Sequence, residues 1–183
     1  GNTKTGNTAL TMDGGSITGL VNLGNGNHSV SLSNGANLSG GLVQTGGSID
    51  LSVNASNMKV LSTNPLTLTT GNIGAGSSVT FDIAGGGAAG APMLDSAGSI
   101  TIDADARVTA PDSYMNNLDF SMNPNDPNSI LLTVDRKSAT QLGLGQNFTA
   151  IYNSFATALN SDKPVATALS SLQTEEEFRT GML

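Results

Sequence analysis

The sequence predicts a mainly β fold, a parallel β-helix of stacked coils, and three observations carry that prediction. Glycine is abundant, at 23 of 183 residues, while aromatic residues make up 4% and charged residues 11%. Short sets of apolar residues recur two apart, the period of a strand with one buried face. A loose motif returns about every 20 residues, a period at which solenoids are found. An antiparallel β-sandwich also uses short strands and Asn-Gly turns. It does not call for that repeat or for so few aromatic side chains.

The strands follow in order. Leu10/Met12, Val30/Leu32, Ile49/Leu51/Val53, Leu66/Leu68, Val79/Phe81/Ile83 and Ile100/Ile102 alternate with Ser, Thr or Asp, and Asn-Gly, Asp-Gly and Gly-Gly pairs punctuate the chain. The repeat is Asp13-Gly14-Gly15-Ser16-Ile17, then Asn34-Gly35-Ala36-Asn37-Leu38, then Asn54-Ala55-Ser56-Asn57-Met58. Each copy reads as a corner, where small residues and Asn tolerate a left-handed backbone. A coil cannot bury its own face and must stack on its neighbours, which also permits Asn ladders. The repeat blurs after Gly71, and Ala84–Pro92 reads as a flexible loop. Residues 111–129, with Pro111, Pro124 and Pro127, blunt strand edges. Ser129–Val134 forms a last strong strand. Tyr114, Leu118, Phe120, Ile130, Leu132 and Val134 are the apolar residues expected to close the open end of the stack. Residues 1–137 thus read as about six coils, roughly 30 Å tall at ~4.8 Å per coil.

Helical signals begin near Ser138. Ser138-Ala139-Thr140-Gln141 fits a capping box, which Gly143 and Gly145 interrupt. Phe148, Ile151, Tyr152, Phe155 and Leu159 share one helix face. Pro164 suits a first helical position, with Val165, Leu169 and Leu172 continuing an apolar stripe. Thr174-Glu175-Glu176-Glu177 is a second capping box, with its carboxylates in the first turn. Residues 138–183 therefore read as a helical linker. The chain begins at Gly1 without Met and reads as part of something longer.

Composition excludes several function classes. With seven Lys+Arg, a net charge of −7 and a pI near 4.3, the chain lacks the basic stripe that nucleic acid requires. No apolar run is long enough to span a membrane as a helix. Having no Cys, the chain has no disulfide framework and no thiolate metal site. His28, the single histidine, reads as an exposed turn residue, although Ser29 and Asp13 are formal triad companions. Gly85-x-Gly87-x-x-Gly90 matches a dinucleotide pattern, but Pro92 and Gly98 break the helix that pattern needs. Asp103-Ala104-Asp105 reads as strand, with both carboxylates on the solvated face rather than on calcium. Glu175–Glu177 is explained by a helix start. The sequons at Asn27, Asn37, Asn54 and Asn147 are expected by chance in so Asn/Ser/Thr-rich a chain. The repeat region offers too few charges to stabilise a transition state. We therefore expect no enzyme activity, no cofactor and no metal.

Val134-Asp135-Arg136-Lys137-Ser138-Ala139-Thr140-Gln141-Leu142-Gly143-Leu144 resembles the end of bacterial autotransporter passenger domains. The likeness is to those of subtilisin-like protease and adhesin autotransporters, and it covers residues 129–183. In that family the last strand runs into Arg/Lys-Ser-Ala and then Leu-Gly-Leu. The stretch with Phe148, Tyr152, Phe155 and Ala166-Thr167-Ala168-Leu169 is similar to the helical segment that follows. The resemblance implies type V secretion of a right-handed β-helix to the Gram-negative cell surface. It implies two partners, a C-terminal translocator β-barrel and the outer-membrane assembly machinery. It also implies that the C-terminal coils act as an autochaperone. The alternative is an adhesin module that binds a host glycan or protein through Ser/Thr/Asn-rich faces. A β-helix carbohydrate enzyme is a further one.

Overall fold

A computed structural model describes residues 6–61, 63–82, 91–110, 113–145, Thr149, Tyr152 and 172–181. Two parallel sheets run along the molecule. Sheet A contains β1 (Ala9–Asp13), β3 (Val21–Ser33), β5 (Leu42–Val53) and β7 (Leu66–Ile73), continued by β9 (Ala91–Ser96) and β10 (Ile100–Ile102). Sheet B contains β2 (Ser16–Ile17), β4 (Asn37–Leu38), β6 (Asn57–Leu61), β8 (Ser78–Asp82) and β11 (Arg107–Thr109). The chain alternates between the sheets, so each A strand with the next B strand makes one rung of a β-solenoid.

The register proves the repeat. Leu10 pairs with Val30, Val30 with Leu51, and Leu51 with Gly71. In sheet B, Ile17 pairs with Leu38, Leu38 with Met58, and Met58 with Val79. Three regular turns of 20–21 residues thus join four rungs. The fourth turn is longer, because Val108 pairs with Val79 and Ile100 with Gly71, 29 residues on in each case. The extra length lies in the stretch that contains residues 83–90. The Gly85–Gly90 pattern and most of the Ala84–Pro92 loop therefore lie outside the described residues, while Ala91 and Pro92 already belong to β9.

Alternation builds the core. Met12, Leu32, Val53 and Ile73 stack inward from sheet A, and Leu38, Met58 and Val79 face them from sheet B. Most of these side chains are wholly inaccessible to solvent. The outward residues bond to one another along the stack. Asn7 Oδ1 accepts the Asn27 N–H at 3.1 Å, Asn27 Oδ1 accepts from the Ser48 hydroxyl at 3.3 Å, and Ser48 meets Thr69 Oγ1 at 2.6 Å. The expected Asn ladder is thus a mixed Asn/Ser/Thr ladder.

The corners follow the repeat motif. Gly14, Gly35, Ala55 and Gly76 each have positive φ, at 76°, 80°, 46° and 68°. Backbone bonds cross them from rung to rung, as from the Gly35 N–H to the Ala55 carbonyl at 2.9 Å. Asp103-Ala104-Asp105 is the corner of the fifth rung, not part of a strand. The Asp105 N–H donates to Asp103 Oδ1 at 3.0 Å in an Asx turn, a local bond that competes with extended pairing.

The stack is shorter than the sequence implies. Five rungs, about 24 Å tall at ~4.8 Å each, replace the expected six coils. Residues 116–136 form a hairpin instead, β12 (Asn116–Asn123) against β13 (Asp126–Arg136). The stretch 111–129, read as blunting strand edges, therefore contains a strand. The reason lies in the turn: the Asn125 N–H donates to Asn123 Oδ1 and the Asn128 N–H to Asp126 Oδ1, both at 3.0 Å. So short a reversal joins antiparallel strands only, since parallel neighbours need a long crossover.

Candidate functional site

The hairpin closes the C-terminal end of sheet A. β13 runs antiparallel to β9, pairing Ile130 with Leu94 and Ser129 with Asp95. β12 lies outside β13, with Leu118 opposite Val134, Phe120 opposite Leu132 and Met122 opposite Ile130. Ile130 is buried in the solenoid core, while Leu118 and Phe120 pack against that core half-buried. The Phe120 ring stacks on Phe81 of β8 at 4.8 Å between centroids. That contact joins the hairpin to sheet B and is worth ~0.5–1.5 kcal/mol beyond the area it buries.

The six residues expected to form the cap divide three ways. Leu118, Phe120 and Ile130 close the solenoid core. The side chains of Leu132 and Val134 lie outside the described residues, although their backbones hold the hairpin register. Tyr114 belongs to a second cluster, with Met115, Ala139, Leu142, Tyr152, Phe178 and Leu172. Its ring lies 5.4 Å from Phe178, and its hydroxyl donates to the Leu142 carbonyl at 3.1 Å. The Tyr114 N–H donates to the Leu172 carbonyl at 2.9 Å. Tyr114 therefore clasps the C-terminal segment onto the cap and does not plug the solenoid.

Tyr152 completes that clasp by donating to the Lys137 carbonyl at 2.6 Å. Burial raises the Tyr152 phenol above its ordinary value, Arg136 works the other way, and Tyr114 adds to the rise. The hydroxyl is thereby kept as a donor. Both capping boxes form. The Ser138 N–H bonds to Gln141 Oε1 at 2.8 Å and the Gln141 N–H to Ser138 Oγ at 3.3 Å. This first box opens a turn that Gly143 ends at φ 66°, rather than a helix. The second opens the helix α1 (Glu175–Gly181). Beyond Thr149, Tyr152 and Leu172, the expected helical stripes of 148–172 lie outside the described residues.

Between the last strand of sheet B and the hairpin opens a cleft of about 480 Å³. Val108, Thr109 and Ala110 line one side, and Asn116–Phe120 line the other, with Ser113 and Lys137 alongside. The Lys137 ammonium donates to the Ser113 carbonyl at 3.0 Å. The buried Asn116 amide donates to Ser113 Oγ at 3.1 Å. Two of the expected cap residues, Leu118 and Phe120, are thus also walls of a cleft. Sequence reasoning missed Val108 and Ala110, and it placed Phe81 in a strand without its contact to Phe120. One signal was present: Val79-Thr80 returns as Val108-Thr109, hidden because the longer fourth turn breaks the period.

His28 is not an exposed turn residue. It sits in β3 on the inward face, 3% exposed, in register with Ile49. Its Nδ1 accepts the Thr8 N–H at 3.2 Å, and its Nε2 is buried with no hydrogen-bond partner among the described residues. The run Gly24–Asn27 looked like a turn but is a bend within one long strand, so the next residue continues the inward alternation. Ser29 and Asp13 face outward, away from the ring. Among the described residues, no group of three or more His, Asp or Glu is placed to hold a metal.

No family model, curated protein or solved structure matches this chain.

Proposed function

We propose that this chain is the C-terminal stalk and folding nucleus of a secreted β-solenoid, an autotransporter passenger segment. Its task is to fold first at the cell surface and to carry whatever precedes it. Two lines support the reading. One is the resemblance of Val134–Leu144 and the helical signals after it to the junction before a translocator barrel. The other, which carries the greater weight, is the asymmetry of the two ends. The C-terminal end has a built cap, with Phe120 on Phe81 and Ile130 in the core. Among the described residues, the first rung, β1 and β2, has one strand neighbour in each sheet, and Leu10 and Ile17 are only partly covered. Folding of a solenoid can nucleate at any point and propagate along the stack, and we assign the nucleus to the end that is capped and clasped.

The test has two arms. In refolding followed by pulse hydrogen exchange, β9, β12 and β13 gain protection before β1 and β3. In cells, the chain is placed ahead of a translocator β-barrel. There Ile130→Asp blocks surface display, whereas Leu10→Asp leaves the C-terminal protease-resistant core on the surface. Protection that appears first at β1, or normal display of Ile130→Asp, would overturn the proposal.

A further inference from the structure

The two sheets end differently. Sheet A continues past its parallel strands into β13 and β12, whereas sheet B stops at β11. Among the described residues, no strand pairs with the outer edge of β11. The Arg107 N–H donates to the Ser77 carbonyl at 2.9 Å. In a parallel ladder, alternate residues turn their backbone groups to opposite neighbours. Arg107 and Thr109 therefore face β8, and Val108 presents its N–H and C=O to the free side. Ala110, two residues on, faces the same way.

The cleft described above opens over that edge. It occupies the place that a sixth strand of sheet B would fill, walled on its far side by Leu118 and Phe120 of the hairpin. Every interface beneath it has one composition. A backbone ladder runs beside the apolar row Ile17, Leu38, Met58, Val79 and Val108. The cleft is the continuation of that rung-to-rung interface, with its apolar row half-covered at Val108 and no strand on its ladder among the described residues.

We propose that the cleft is a β-strand acceptor. An extended peptide with a polar–apolar–polar pattern adds to β11 in parallel. Its apolar residue continues the row on Val108 beside Leu118 and Phe120, and its polar neighbours stack outward over Arg107 and Thr109. Such strand addition takes affinity from main-chain bonds and specificity from alternate side chains. Asp119 and Lys137 line the same cleft with opposite charges, so the site does not select a net charge. The inference goes beyond the secretion reading and does not rest on it.

The probe is a synthetic peptide copying Asp105–Ala110, titrated into the ¹⁵N-labelled full chain. The expected result is saturable shifts and slowed amide exchange at Val108 and Ala110. The same peptide N-methylated at its Arg and Thr residues loses the two donors that would face β11, and it binds roughly tenfold or more weakly. Because this comparison alters only the peptide, it holds whatever a chain variant does to folding. Equal binding of the two peptides, shifts confined to other strands, or no shift at millimolar peptide would overturn the proposal. So would protection of Val108 that rises with protein concentration alone, which would assign the edge to a second copy of the chain.

Discussion

Ala55 and His28 show what a stacked fold imposes on single residues. Ala55 holds the left-handed corner position that glycine holds at Gly14, Gly35 and Gly76. A side chain there costs ~1–2 kcal/mol, whereas glycine costs ~0.4–1 kcal/mol through the unfolded chain. Ala55→Gly therefore stabilises the protein by about 0.5–1 kcal/mol, read as a higher urea midpoint at unchanged m. Gly47 is constrained differently. Its φ is 80°, and a Cβ there would run into the backbone of Gly26 on the rung below. Gly14 and Gly35 were legible, because a repeated Asn/Asp-small-small motif names a turn, whereas Gly76 lies past Gly71, where that motif fades. The Gly26–Gly47 contact was not, since nothing local distinguishes a glycine needed for stacking from one needed for bending. His28 was misread for the same reason: its glycine-rich surroundings describe the bend before it, while its own position obeys the strand period.

Elements were legible where a local rule acts alone. The box that opens α1 is one case: Thr174 Oγ1 accepts the Glu177 N–H at 3.2 Å, and Glu177 Oε2 accepts the N–H groups of Thr174 and Gln173 at 3.2 and 2.8 Å. The backbone bonds from Gln173 and Thr174 hold the Glu177 carboxyl below its ordinary value of 4.5. A depressed carboxyl pKa contributes stability above the unfolded value and loses it as pH falls through the folded one. We expect Glu177 to titrate below 4.5 by NMR, with the amides of α1 losing protection in the same acid window. Titration at or above the ordinary value would contradict the cap. Local reading named no strand at β12, because Asn116–Asn123 lies between prolines that mark blunted edges. Its pairing with β13 is nonlocal, and no single-segment pattern contains it.

At the scale of the whole molecule, the solenoid is a one-dimensional stack whose stability depends on how many neighbours a rung has. Middle rungs such as that of β5 have a strand on each side, whereas β1 and β2 have one among the described residues. Native-state exchange should run faster in β1 than in β5 by roughly tenfold or more, and uniform protection would argue for all-or-none unfolding instead. Taken alone, the sequence determined the parallel β-solenoid class, the corners at Asp13, Asn34 and Asn54, and both capping boxes. Each of these follows from residue type and spacing within one turn of chain. Tertiary structure alone decided where the stack ends, that the last strands turn antiparallel, that Tyr114 clasps the C-terminal segment while Phe120 seats on Phe81, and that a cleft opens beside β11. Those outcomes depend on which surfaces meet after stacking, and contacts between residues dozens of positions apart leave no periodic trace in the chain.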